Sequence, residues 1–178
     1  MTTENTQLVI LDIQGKLSQI VYKSEEVLHN SRILIEGSKL LELPIIWVEH
    51  MPDKLGVTHP VIAEILEGKT SVKKSSFSAW GNAEFRKELR ANNRKHVLLI
   101  GIETHICIYQ TALDLLAEGY EVSVIADAVS SRTESNKHIG LTMLRDAGAT
   151  LLSTEAALFA LLRTAEHPQF KEIARLVK

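Results

Sequence analysis

The chain has one soft nucleophile, Cys107, its only cysteine. It opens the helical segment Cys107 to Glu118, a few residues after the apolar run Val97 to Ile102. A thiol at a helix N-terminus has its thiolate favoured by the helix dipole. The free N–H groups there can also hold the oxyanion formed when a carbonyl is attacked. The attack needs a base for the thiol proton and a cation to balance charge. Asp12 stands at the end of the first apolar run, which begins at Leu8, and Lys73 and Lys74 follow a short third run. In an extended segment those two lysines point to opposite faces, so one turns inward. Each residue also has an ordinary use. A free cysteine packs as a small hydrophobe, an aspartate at a strand end bonds a loop backbone, and a lysine pair is solvated.

Other candidates are weaker. His105 lies two residues from Cys107, and residues two apart on a helix do not face each other, which leaves it a substrate-facing or surface role. His50, after Glu49, and His59 match no tight metal-ligand spacing. Gly101 fits either a close backbone approach or a plain turn. Ser130, Ser131 and Arg132 suit an anionic substrate or turn chemistry. Trp80 either walls a pocket or packs in the core.

The elements that must position these residues are legible as alternating apolar runs and amphipathic segments. Strands are expected at Leu8–Ile13, 45–48, 70–74, 97–102, 122–126 and 149–152. Between them, Ser24 is a candidate N-cap for a helix stopped by Pro44, and Pro60 starts a short helix ended by Gly68. Asn82 caps the next helix, Gly119 and Gly148 end two more, and the segments 155–162 and 168–177 close the chain. Strands that are apolar throughout are buried on both faces. The expectation is a three-layer α/β/α sandwich, Rossmann-like, with a six-stranded parallel sheet and ligands bound beyond the strand C-termini.

Composition excludes several classes. With 178 residues, 20 Lys+Arg and 22 Asp+Glu, the net charge is −2, so there is no nucleic-acid footprint. No apolar run is long enough to span a membrane, and the expectation from the polar N-terminus is that it is no signal peptide. A lone thiol forms neither an internal disulfide nor a thiolate metal cluster, and the expected compartment is the cytoplasm.

Taken together, these residues resemble the isochorismatase-like cysteine hydrolases over nearly the whole chain, residues 1–178 as one domain. Leu11-Asp12-Ile13-Gln14 is similar to the family's first-strand motif. Lys74-Ser75-Ser76-Phe77-Ser78-Ala79-Trp80 is similar to its lysine segment, in which a Ser-Ala pair begins four residues past the lysine, a register that selects Lys74. Gly101-Ile102-Glu103-Thr104-His105-Ile106-Cys107 is similar to its nucleophile loop. Leu55-Gly56, Asp127 to Arg132 and the tail Glu166 to Ile173 resemble the isochorismatase domain-containing subgroup.

The resemblance implies an Asp12–Lys74–Cys107 triad that cleaves a small amide-like C–N bond through a thioester. It also implies a cis peptide between Ile102 and Glu103, beside an oxyanion site formed with Cys107. Gln14, Leu17, Trp80 and His105 are the candidate substrate contacts. A small-molecule substrate, no cofactor, no metal and a homo-oligomer follow from the same likeness. Three departures matter. Glu49-His50-Met51-Pro52 lacks the Asp–His–His metal motif of nicotinamidases. Cys107 is superfluous to the vinyl-ether cleavage of isochorismatases proper. Leu17 stands where many members have an aromatic residue. Two other classes remain open at this level: a catalytically idle or regulatory protein acting through partners, and a redox-sensing thiol.

Overall fold

The computed structural model describes residues 1–178. The apolar runs form six strands: β1 (Thr6–Leu11), β2 (Ile45–His50), β3 (Val72–Lys74), β4 (His96–Ile102), β5 (Glu121–Ser130) and β6 (Thr150–Leu152). Every neighbouring pair is parallel, in the order β3-β2-β1-β4-β5-β6. The chain winds outward from β1 to β3, then crosses back to β4 on the other side of β1. The loops leaving β1 and β4 therefore diverge, and a crevice opens between them at the C-terminal edge of the sheet.

The helices are α1 (Leu17–Ile20), α2 (Ser24–Leu40), α3 (Pro52–Leu55), α4 (Pro60–Ala63), α5 (Ala83–Ala91), α6 (Tyr109–Ala117), α7 (Glu134–Asp146), α8 (Thr154–Leu162) and α9 (Phe170–Leu176). They cover both faces of the sheet. Leu8 and Ile10 of β1 pack with Leu34, Leu158 and Ile173 from α2, α8 and α9. Val9 and Leu11 pack with Phe85, Ala112 and Leu144 from α5, α6 and α7. This alternation between two cores is why β1 reads as unbroken hydrocarbon. Each such side chain contributes about 1.5–3 kcal/mol on burial. Asn82 caps α5, its Oδ1 accepting from the N–H groups of Glu84 and Phe85 at 2.8 and 3.1 Å.

The structure corrects several local expectations. Ser24 is the first residue of α2 rather than its cap; Lys23 takes the cap position at φ 54° with no side-chain bond to the helix. The helix expected from Cys107 begins at Tyr109, because Thr104–Ile108 forms a wider π-type turn. β5 runs four residues further than its apolar core, to Ser130, past a register shift against β4. Asp12 and Lys74 were expected at the ends of adjoining strands, but β2 lies between β1 and β3.

Gly101 settles into close approach. A Cβ there would lie 1.9 Å from the Leu11 carbonyl oxygen, and its φ is +130°. Gly101→Ala must push β4 off β1, so urea unfolding should show a loss of about 3 kcal/mol, combining overpacking with backbone strain.

Candidate active site

Three side chains from separate strands meet in the crevice. Asp12 follows β1 with φ 59°, a left-handed conformation that Asp tolerates better than most residues. Lys74 ends the edge strand β3, where Lys73 is exposed and Lys74 is buried. Its chain reaches over the end of β2, so that Nζ lies 2.7 Å from Asp12 Oδ2. Cys107 sits in the turn after β4, 7% exposed, with Sγ 3.8 Å from Lys74 Nζ. Lys74 also donates to the Ser76 carbonyl at 3.2 Å and lies 3.3 Å from His50 Nδ1. Asp12 Oδ1 is buried without a hydrogen-bond partner. The Cys107 sulfhydryl lies close enough to act on that carboxylate as a weak donor, which lowers Asp12 against the effect of burial.

The electrostatics differ from the simple expectation of an ionised thiol. Burial pushes the Cys107 thiol up to about 12, and the Asp12 charge adds to the rise against the pull of Lys74. Burial also raises Asp12 above the ordinary carboxylate range, opposed chiefly by the Lys74 charge. His50 is lowered, first by burial and then by Lys74, which favours its neutral form. The resting site is a buried carboxylate–ammonium pair beside a neutral thiol. Helix-terminus stabilisation of a thiolate loses here to desolvation and to Asp12.

Packing holds the turn that carries Cys107. The Ile108 N–H donates to the Glu103 carbonyl at 3.2 Å across the widened turn. Thr104 N–H donates to Ser131 Oγ at 3.1 Å, and Arg132 Nε to Glu103 Oε1 at 3.0 Å. Ser131 and Arg132 thus brace the turn. On its far side Gly140 of α7 lies so close that a Cβ would meet His105 N at 2.7 Å. The Ile102–Glu103 peptide is cis. The lysine segment is anchored on α6, where Ala79 N–H donates to Thr111 Oγ1 at 3.0 Å.

A cavity of about 280 Å³ opens onto the sulfur, lined by Asp12, Gln14, Leu17, Ile102, Glu103 and Cys107 together with Lys16, His50, Lys54 and Leu55. Its size suits a small molecule. Of the candidate contacts, Leu17 lines it. Gln14 lines it too, but its amide is committed to the scaffold: Nε2 donates to the Gly56 carbonyl at 2.7 Å and Oε1 accepts from the His50 N–H at 2.6 Å. Trp80 does not line it; its indole packs edge-on to Tyr120 and under Arg90. His105 also lies outside it, with Nδ1 2.9 Å from Ser131 Oγ and 3.4 Å from Glu103 Oε2. The sequence reading missed Lys16, His50, Lys54 and Leu55 as wall residues. For His50 the signal was its place at the end of a buried strand, whereas α1 and α3 are too short to leave a periodic pattern.

A thiol, a carboxylate and a buried lysine thus meet at the switch point of a parallel sheet in an α/β protein. Its family follows from likeness along the whole length: residues 6–156 match the Isochorismatase domain, and the chain belongs to the isochorismatase family. It is 38% identical over 176 residues to the secreted isochorismatase effector Isc1 of Phytophthora sojae, covering 96% of this chain and 83% of that one. It is 35% identical over 177 residues to the isochorismatase domain-containing protein 2 of Danio rerio, covering 99% and 89%. Among solved structures, the MAR1 ribonuclease of Caenorhabditis elegans superposes with a TM-score of 0.93 at 34% identity, covering 99% of this chain and 91% of that one. The fold is also that of the YcaC gene product of Escherichia coli, with a TM-score of 0.93 at 22% identity and 99% and 88% coverage.

The charges around the sulfur make opposite predictions for two variants. Asp12→Asn removes a charge that raises the thiol pKa, so Cys107 alkylation should accelerate and its pH limb should move below about 12. Lys74→Met should move that limb up and slow the reaction. Iodoacetamide rates from pH 7 to 11, read by mass spectrometry, check both.

Proposed function

We propose that the chain is a cysteine hydrolase that cleaves a small amide-like C–N bond through a thioester on Cys107. The observation that carries this reading is the unpartnered Asp12 Oδ1 beside a thiol, with Lys74 Nζ 2.7 Å from the other carboxylate oxygen and 3.8 Å from the sulfur. A buried acceptor without a donor is costly, and a proton acceptor held ready gives it a use.

The high thiol pKa sets the order of events. The S–H proton passes to Asp12 Oδ1 as sulfur attacks the carbonyl carbon, so no free thiolate accumulates. The neutral carboxyl is the form that burial already favours at Asp12. Lys74 faces the sulfur while its proton is leaving, and the negative charge passes on to the carbonyl oxygen. We assign the oxyanion to backbone N–H groups of Glu103 and Cys107, whose residues line the cavity with Ile102. The tetrahedral intermediate collapses, the amine departs with the proton from Asp12, and a thioester remains. Asp12 takes a proton from water, the hydroxide adds to the thioester, and sulfur leaves and regains its proton as the acid is released.

The rival readings fit these groups less well. Redox-sensing thiols are exposed and ionised, whereas Cys107 is buried and pushed up to about 12. RNA cleavage, named for the nematode relative, proceeds at phosphorus and uses acid–base groups; here the group set against the base is a thiol. An idle protein has no need of a buried ion pair opening onto a cavity. A working thiol must stay reduced, which favours the cytoplasm. Exposed Ile20, Val57 and Phe77 favour a homo-oligomer. The structure has no helix long and apolar enough to cross a membrane.

Cys107→Ser, Asp12→Asn and Lys74→Met should each lower kcat/KM on a small-amide panel by about 10²-fold or more. In the native protein an acyl adduct should be trapped at Cys107 by acid quench and mass spectrometry. Because Asp12 must be ionised to act, kcat/KM should fall in acid through a pKa above 3.8. Turnover that persists in Cys107→Ser would remove the thioester route.

A further inference from the structure

Charges on the cavity wall do not cancel. Asp12 is neutralised by Lys74 at 2.7 Å, and Glu103 by Arg132 at 3.0 Å. Lys16 and Lys54 line the same cavity and pair with no carboxylate. Asp53 is absent from this wall; it lines a neighbouring depression whose wall Lys54 shares, and the two form no ion pair.

The backbone fixes where these two exposed lysines branch from the chain. Lys16 lies in the loop after β1, two residues past Gln14, and Lys54 lies in α3 beyond β2. The two loops are clamped together: Gly15 N–H donates to the Val57 carbonyl at 3.0 Å, and Gln14 Nε2 to that of Gly56 at 2.7 Å. The approach is so close that a Cβ on Gly15 would lie 2.0 Å from the Leu55 carbonyl oxygen. Leu17 and Leu55 supply apolar wall beside the two cations.

We propose that Lys16 and Lys54 select substrates that carry a carboxylate close to the scissile amide, an inference that rests on the hydrolase reading above. The acid group sits against the two ammonium groups, the short carbon chain against Leu17 and Leu55, and the amide carbonyl over Cys107. Two positive side chains at the rim of a crevice also raise the local concentration of an anion.

The test separates charge selection from catalysis. Iodoacetate and iodoacetamide differ in charge at similar size, and both form a thioether at Cys107 with loss of iodide. The iodoacetate-to-iodoacetamide rate ratio at Cys107, measured at low salt and pH 9, should exceed that of glutathione. It should fall roughly 5-fold or more in the double variant Lys16→Gln/Lys54→Gln. A ratio at or below that of glutathione, a ratio unmoved by the double variant, or a Cys107 that neither reagent reaches overturns the proposal. Turnover of malonamate against malonamide is read alongside. If the ratio responds and neither amide is cleaved, anion selection at Cys107 stands, and the amide-cleavage reading, with the placing of the carboxylate beside a scissile amide, fails. If both amides are cleaved equally and the ratio is flat, hydrolysis stands and the selection fails.

Discussion

The ion pair between Asp12 and Lys74 is the constraint on which the rest of the molecule depends. Two charges taken out of water are tolerable only together: removing one partner from a buried pair typically costs about 3–5 kcal/mol. The fold meets that condition with strands that are not neighbours. β3 is a three-residue edge strand, yet its last residue must reach the end of β1, and β2 must finish in a way that leaves the path open. His50, the last residue of β2, stacks on Phe77 and lies against the ammonium without carrying charge. Burial keeps the sulfur neutral in the first place, and the same pair bears on it in two senses: the Asp12 charge raises the thiol further while Lys74 pulls it down.

The architecture was legible because parallel strands covered on both faces leave an unmistakable record: Leu8 to Leu11 serve two cores and so show no polar alternation. Asp12, Lys74 and Cys107 were legible as residue types at strand ends, and the extended alternation of Lys73 and Lys74 narrowed the buried lysine to one of two. Family likeness then supplied the register. The strand order was not legible, because β-pairing across the sheet leaves no mark within one strand.

The finer geometry of the site was hidden for physical reasons. The π-type turn at Thr104–Ile108 has the composition of a helix start, and only its hydrogen bonding tells it apart. The thiol's protonation depends on a balance between burial and two opposite charges, all set by tertiary contacts. Trp80 illustrates the reverse error. It lies six residues past Lys74 in the segment that resembles the family's lysine motif, yet the 3-10 turn at Ala79–Gly81 carries its ring to Tyr120 and away from the crevice.

Gly140 makes two parts of the chain inseparable. The axis of α7 rests directly on the main chain of Thr104 and His105, with hydrogen as the only spacer. Tolerance to substitution along this helix is therefore one-sided. Its outward positions, such as Ile139, are free to drift, while a single methyl on the inner side would act as a wedge that tilts the sulfur's seat.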